Sequence, residues 1–227
     1  MTDANDKHNQ PPLAHVRQLP GGQWEEHFLD EHLREVAKLA AKFAQNFDSE
    51  DWASLAGLWH DLGKYSSEFQ QYIKSVSGYD AHIEAPGRVD HSTAGAIHAI
   101  RQFNPHGRIL AYLIAGHHAG LPDWSAAETS GKALAIRLSA EQDHLLDRIP
   151  AQAVPAEILV RTKPTTKPRG GADGLHLWLR MLFSCLVDAD FLDTEAFTDG
   201  DKAAARSGYR DLPGLLADFD LYMEKKS

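Results

Sequence analysis

Apolar positions recur along most of this chain at the three-to-four-residue spacing of helices. From Trp24 to Phe47 the positions Phe28, Leu29, Leu33, Val36, Ala37, Leu39, Ala40 and Phe43 form one amphipathic face, with His32 inside the stretch. Asp48 or Ser49 can cap a second helix whose apolar run, Leu55, Leu58, Trp59 and Leu62, carries His60 and Asp61. A shorter helix is expected from Ser67 to Val76. Ser77 to Val89 holds Gly78, Pro86 and Gly87 without a period and reads as a loop. Asp90 can then cap a helix from His91 to Phe103, and Asn-Pro-His-Gly breaks the chain. Arg108 to Ala115 is a short apolar helix, ended by Gly116-His117-His118-Ala119-Gly120-Leu121-Pro122.

Ser125 and Glu128 have capping-box spacing and open a further helix, with Gly131 interrupting before Leu134 to Leu146. Residues 149 to 174, rich in Pro, Thr, Lys and Gly, are expected to be a mobile loop. Leu175 to Phe191 is almost wholly apolar and suits the centre of a helical core, while Leu212 to Met223 is amphipathic. No strand alternation and no internal repeat is legible. The pattern therefore predicts an all-α, single-domain helical bundle over residues 23 to 227. A polar arm precedes it over residues 1 to 22, flexible because of Pro11, Pro12, Pro20, Gly21 and Gly22.

Composition changes this picture little. At 227 residues, 43% hydrophobic and 24% charged, the chain can bury one good core. Its single cysteine, Cys185, excludes an intramolecular disulfide and points to a reducing compartment. No run approaches the roughly 20 apolar residues of a membrane span, and the polar start lacks a signal peptide's apolar core, so a cytoplasmic location without membrane contact is expected. A net charge of -9 argues against binding nucleic acid through a basic surface. It leaves open an enzyme that meets phosphate through bound metal.

Chemistry enters at His60-Asp61. A carboxylate carried by an apolar helix costs several kcal/mol unless paired, hydrogen-bonded or bound to a cation, and a neighbouring imidazole is a natural co-ligand. The competing reading is a satisfied histidine beside a capping aspartate near a helix end, with Gly63 closing the turn. Histidine or aspartate stands at apolar helix faces or ends in five places: His32, His60-Asp61, His91, His117-His118 and Asp188/Asp190. Each taken singly reads as structural as readily as functional. The His117-His118 pair stands between small residues that would let a ligand approach, and two adjacent imidazoles suggest metal.

In order and chemistry these residues resemble the HD superfamily of metal-dependent phosphohydrolases. Three segments resemble, more narrowly, the HD nuclease of type I CRISPR interference: W-H-D-L-G-K-Y-S-S-E-F-Q-Q-Y at 59 to 72, D-H-S-T-A-G-A at 90 to 96 and A-G-H-H-A-G-L-P-D at 115 to 123. The resemblance implies an HD-superfamily bundle and a two-metal site. His32, His60, Asp61 and Asp190 would hold one ion, and Asp61 would bridge to a second held by His91, His117 and His118. Successive helical residues are about 100° apart, so Asp188 and Asp190 diverge by roughly 200° and one alone should face the site. The family's closing Ala-Asp matches Ala189-Asp190, with Asp188 as the fallback.

Lys64 follows Asp61 by three and His60 by four, so it can share their face. It matches the family's lysine and is assigned to phosphate contact or charge balance, against a solvated surface lysine. Ser92 could bind a ligand or phosphate oxygen, or simply sit in a first helical turn. Imidazole-rich ligation favours Mn, Fe, Co, Ni or Zn over Mg. Two such ions with two aspartates and five neutral imidazoles leave the site at about +2, which would attract phosphate to an acidic protein. Because a ligating imidazole must be neutral, activity should fall as pH drops through about 6.5.

The implied activity is cleavage of DNA, preferentially single-stranded, by an endonuclease with exonucleolytic trimming also open. The implied partners are a helicase domain or subunit and a CRISPR RNA-guided surveillance complex. No nucleotide cofactor is expected, since the one near miss to a P-loop, Gly131-Lys132, has Ala126 and Ala133 at required positions. Arg161, Lys163, Lys167 and Arg169 could guide a strand, and Tyr65, Tyr72, Tyr79 and Trp124 could stack bases, beside linker and packing roles for the same residues. Two rivals stand beside this reading: an HD phosphohydrolase for nucleotides or cyclic nucleotides, and a non-catalytic docking module.

Overall fold

In the computed structural model, Pro20-Gly21-Gly22 reverses the chain and makes a β-hairpin of what precedes the first helix. The structure describes residues 10–79, 89–125, 133–141, 144–150, 152–159, 162–168, 170–206 and 210–226. Strand β1 (Leu13–Gln18) pairs antiparallel with β2 (Trp24–Phe28), placing His15 opposite His27 and Arg17 opposite Glu25. Gly22 takes φ +80°, open to glycine without a Cβ clash, and its N–H donates to the Leu19 carbonyl at 2.8 Å. The expected absence of strands is thus corrected, and so is a helix beginning at Trp24. Leu13 and Ala14 are buried, so part of the expected loose arm is packed.

Helix α1 (Leu29–Ala44) begins only after the hairpin, with Asp30 and Glu31 in its first turn, where the helix dipole favours acids. Leu29, Leu33, Val36, Ala37 and Ala40 are buried along one stripe, and His32 is buried with them. It packs on α2 (Glu50–Trp59), which is followed by a 3-10 turn at Leu62–Tyr65 and by α3 (Ser67–Val76), capped by the Ser66 hydroxyl. Helices α4 (Ser92–Phe103) and α5 (Gly107–Gly116) pack on each other. A Cβ on Gly95 of α4 would stand 1.8 Å from the Trp59 carbonyl oxygen, so this position brings α4 onto the end of α2 only as glycine. Helices α6 (Leu134–Glu141), α7 (Gly171–Thr198), α8 (Gly200–Ala205) and α9 (Leu212–Glu224) follow.

The chain divides into two compact units, Met1–Thr194 and Glu195–Ser227, with the division inside α7. In the first, Trp59 is fully buried and donates its indole N–H to the Ile158 carbonyl at 2.8 Å, and Trp178 donates to the Ser49 hydroxyl at 2.8 Å. These bonds let the large rings lie in the core without an unpaired donor. The segment 149 to 174 has no regular element before Gly171 among the described residues, yet Asp51 accepts from the Thr165 and Thr166 N–H groups and Ile158 is buried. In the second unit Glu195 pairs with Arg206, while Asp199 and Asp211 cap α8 and α9. Beyond Ser125 the helix start expected at Ser125–Glu128, most of the Ser77–Val89 loop, Arg161 and Arg169 lie outside the described residues. Among the described residues no helix is long and apolar enough to cross a membrane.

Candidate metal centre

The side chains singled out in the sequence come from the ends of helices and meet at one buried carboxylate. His32 projects from the first turn of α1, His60 closes α2, and Asp61 follows before the 3-10 turn. His91 precedes α4, His117 closes α5, and Asp190 lies on α7. Helix ends suit this task because the chain turns there, so side chains from several axes can converge on a point.

Asp61 is shared between two groups. Its Oδ2 lies 3.3 Å from His60 Nε2 and 3.7 Å from His32 Nε2, while its Oδ1 lies 3.4 Å from His117 Nε2 and 3.6 Å from His91 Nε2. Asp190 closes the first group, with Oδ1 3.4 Å from His32 Nε2 and 3.6 Å from His60 Nε2. His118 closes the second, its Nε2 2.7 Å from that of His91. Within each group the ligand-forming atoms, those of Asp61, His91, His117 and His118 and those of His32, His60 and Asp190, lie within 4.8 Å of one another. Asp188 is exposed, so α7 presents Asp190 and not the fallback.

The rings are held in the tautomer a cation needs. His60 Nδ1 lies 2.8 Å from the Gly57 carbonyl, His117 Nδ1 2.7 Å from the Ile114 carbonyl and His91 Nδ1 3.2 Å from the Val89 carbonyl. A carbonyl only accepts, so each Nδ1 carries a proton, and each ring, once neutral, turns the lone pair of its Nε2 inward. His32 Nδ1 is held instead by the Asp193 carboxylate at 2.6 Å. The buried Nε2 atoms of His32, His60 and His117 have no hydrogen-bond partner. Neither Asp61 oxygen receives a hydrogen bond of normal geometry, although Lys64 Nζ lies 2.7 Å from Oδ2. With the rings neutral these would be buried acceptors facing one another, a costly arrangement that a divalent ion would satisfy, so the residues fit one. The reading of His60-Asp61 as a satisfied histidine beside a capping aspartate does not hold: Asp61 makes no cap bond.

Protonation follows the same electrostatics. Burial works against a charge on His32, but Asp190, Asp193 and Asp61 outweigh it and raise its pKa to about 9. Burial likewise opposes charge on His60, and Asp61 and Asp190 raise it to about 10. Burial would lift Asp61, yet Lys64 and His60 hold it well below the usual carboxylate range. On the other side burial dominates: it lowers His91, and with His117 it brings His118 down to about 4. Burial pushes the Cys185 thiol up to about 11, which leaves it a poor nucleophile.

Lys64 is 6% exposed and paired to Asp61, so it balances charge inside the site and is no solvated surface lysine. The Ser92 hydroxyl donates to Asp90 and accepts from Arg137 at 2.7 Å, so both its roles are taken by the protein. A cavity of about 230 Å³ opens beside His91 and His118, with Asp90 and Arg137 in its wall. Of the aromatic residues considered for base stacking, Tyr65 is buried and Tyr79 packs on Trp24, while Trp124 lies against Arg108.

Several members were missed in the sequence. Asp193 stands three residues beyond Asp190, so helical spacing puts both on one face, and that spacing is the signal that could have found it. His15 and His27 pack against His32 with ring centroids 4.9 and 5.4 Å away. The nitrogens of this trio also lie within 4.8 Å, but His32 is common to the first group and commits Nδ1 to Asp193, so the pair lines the back of the same centre. Asp90 was read only as a helix cap and as the first residue of the segment at 90 to 96, and Arg137 carried no chemical motif at all.

A family model described as HD domain matches residues 29–153, which is 125 of the chain's 227 residues. No curated protein matches the chain.

Proposed function

The chain belongs to the HD domain family, a family of metal-dependent phosphohydrolases, and from that premise we propose that it is a two-metal deoxyribonuclease acting preferentially on single-stranded DNA. The observation that carries the two-ion reading is the division of Asp61, one oxygen facing His32 and His60 and the other His91 and His117. The choice of DNA rests on the three sequence segments at 59–72, 90–96 and 115–123. An exposed His118 beside an open cavity supports it, because a polymer must reach the centre from outside.

His32, His60, Asp61 and Asp190 would hold one ion, and Asp61, His91, His117 and His118 the other. Bound there, divalent ions supply a hydroxide at neutral pH and neutralise the charge of a phosphodiester in its transition state. The chain's own residues prepare that chemistry. The carbonyls of Gly57 and Ile114 lock His60 and His117 with their lone pairs toward Asp61. Lys64 keeps Asp61 ionised, and Asp193 steadies His32 from behind. The buried walls keep bulk water from the ligands, which strengthens each electrostatic contact. His118, on the open side, faces the region where a phosphate would arrive. In the proposed setting the chain works with a helicase and a CRISPR RNA-guided surveillance complex in antiviral defence.

Incubating the protein with Mn²⁺ and circular single-stranded DNA should produce nicked, linear and then shorter products, abolished by chelator. Asp61→Ala should lower the rate by at least about 100-fold, since even residues behind the ligands cost 10–100-fold. Turnover of nucleotides or cyclic nucleotides with the DNA left intact would overturn the nuclease reading in favour of a small-molecule phosphohydrolase. A metal-free wild type would favour a docking module.

A further inference from the structure

The second ligand group is assembled from two separate stretches, the turn before α4 that carries His91 and the end of α5 that carries His117 and His118. What keeps them in register is a side chain from a third helix. Arg137 extends from α6, which is anchored by buried Leu134 and Leu138 on either side of it. Its Nε–H donates to Thr93 Oγ1 at 2.6 Å. Its Nη2 group donates to Ser92 Oγ at 2.7 Å and to Asp90 Oδ2 at 3.1 Å, all in the stretch around His91. Its Nη1 group donates to the Ala115 carbonyl at 3.1 Å, two residues before His117.

Asp90 completes the clamp. Its Oδ1 accepts from the backbone N–H groups of Ser92 and Thr93 at 3.1 Å each, and its Oδ2 accepts from the Thr93 hydroxyl at 2.6 Å. The turn carrying His91 is therefore rigid in itself and tied as a block to the end of α5. We propose that Arg137 is a positioning residue that builds the second ion's site by strapping the His91 turn to the His117-His118 turn, an inference that rests on the two-ion reading above. Guanidinium suits the task because its planar fork addresses two directions at once, whereas a lysine ammonium on a flexible stem reaches one. The first group, His32, His60 and Asp190, receives no bond from Arg137 among the described contacts, so its ion should be indifferent to the strap.

The test is a Mn²⁺ titration of protein stripped with chelator, counting bound and free ion for wild type, Arg137→Gln and Arg137→Lys, with His91→Ala as reference. Wild type should bind two ions. Arg137→Gln should keep one at wild-type affinity and bind the other about 10–100-fold more weakly, the cost typical of residues that orient ligands. Arg137→Lys should fall between, and His91→Ala should show the same single retained ion. Retention of one site separates positioning from general unfolding, which would lose both. If Arg137→Gln fails to fold, Asp90→Asn, which keeps the guanidinium but removes its charged anchor, should show the same selective loss. Two ions bound with unchanged affinities in the folded variant would overturn the strap alone. Fewer than two ions on the wild type would sink the two-ion reading and the strap with it.

Discussion

His32 shows how much a single side chain owes to its surroundings. In the sequence it is one histidine in an amphipathic face. In the fold its Nδ1 is held by Asp193 and its Nε2 points between Asp61 and Asp190. Asp193→Asn keeps the size of the residue but removes the carboxylate that fixes the ring. The expected result is a 10–100-fold weaker first ion and a matching loss of activity, read by metal titration. Asp188→Asn, on the exposed side of the same helix, should change neither. Equal effects of the two substitutions would contradict the placement of α7. The residues that converge on Asp61 were legible as candidates because their types and order are unusual; Asp193 was not, because aspartate on a helix carries no mark of what it faces.

At the scale of elements, the centre depends on how closely helices and turns approach. The 3-10 turn after Asp61 is fixed to the start of α4 by a hydrogen bond from the Gly63 N–H to the His91 carbonyl at 3.1 Å. A Cβ on Gly63 would stand 2.3 Å from that oxygen. Gly63→Ala must therefore push the His91 turn away from Asp61. It should cost about 1–3 kcal/mol, the range for overpacking a filled interior, and weaken the second ion more than the first. Urea denaturation with parallel metal titration checks both outcomes. The helices over Ser67–Val76 and Leu212–Glu224 match their expected ranges closely, since local periodicity decides them. The hairpin did not read so, because Trp24–Phe28 has both an apolar spacing compatible with α1 and a strand partner just before the turn. Pairing with Leu13–Gln18 across the Gly21-Gly22 turn wins, and it places His27 behind His32.

For the whole molecule, metal and protons compete for the same buried charge. In the metal-free protein His32 and His60 have pKa values raised to about 9 and 10, so their contribution to folding is complete below about 6.5 and is lost as pH rises through 9 to 10. Asp61 and Asp190 are depressed, and their contribution is lost only in acid, as pH falls below the ordinary carboxylate value. Metal binding has the opposite preference, because it requires His32 and His60 to shed their protons. Thermal melts with and without chelator should therefore show a Tm gap that widens from pH 6 to pH 9, and a constant gap would contradict this coupling. It also shifts the expected pH threshold: proton competition at the first group extends above the 6.5 of a free imidazole. What the sequence by itself determined is the helical class, the order of His32, His60-Asp61, His91 and His117-His118, and an acid carried by an apolar run, since periodicity and residue chemistry are local properties. Only the tertiary structure decided that Asp190 and not Asp188 faces inward, that Asp61 divides its oxygens between two groups, and that Asp193 and Arg137 support them. Those are matters of distance between residues far apart in the chain, and distance of that kind is set by how helices pack.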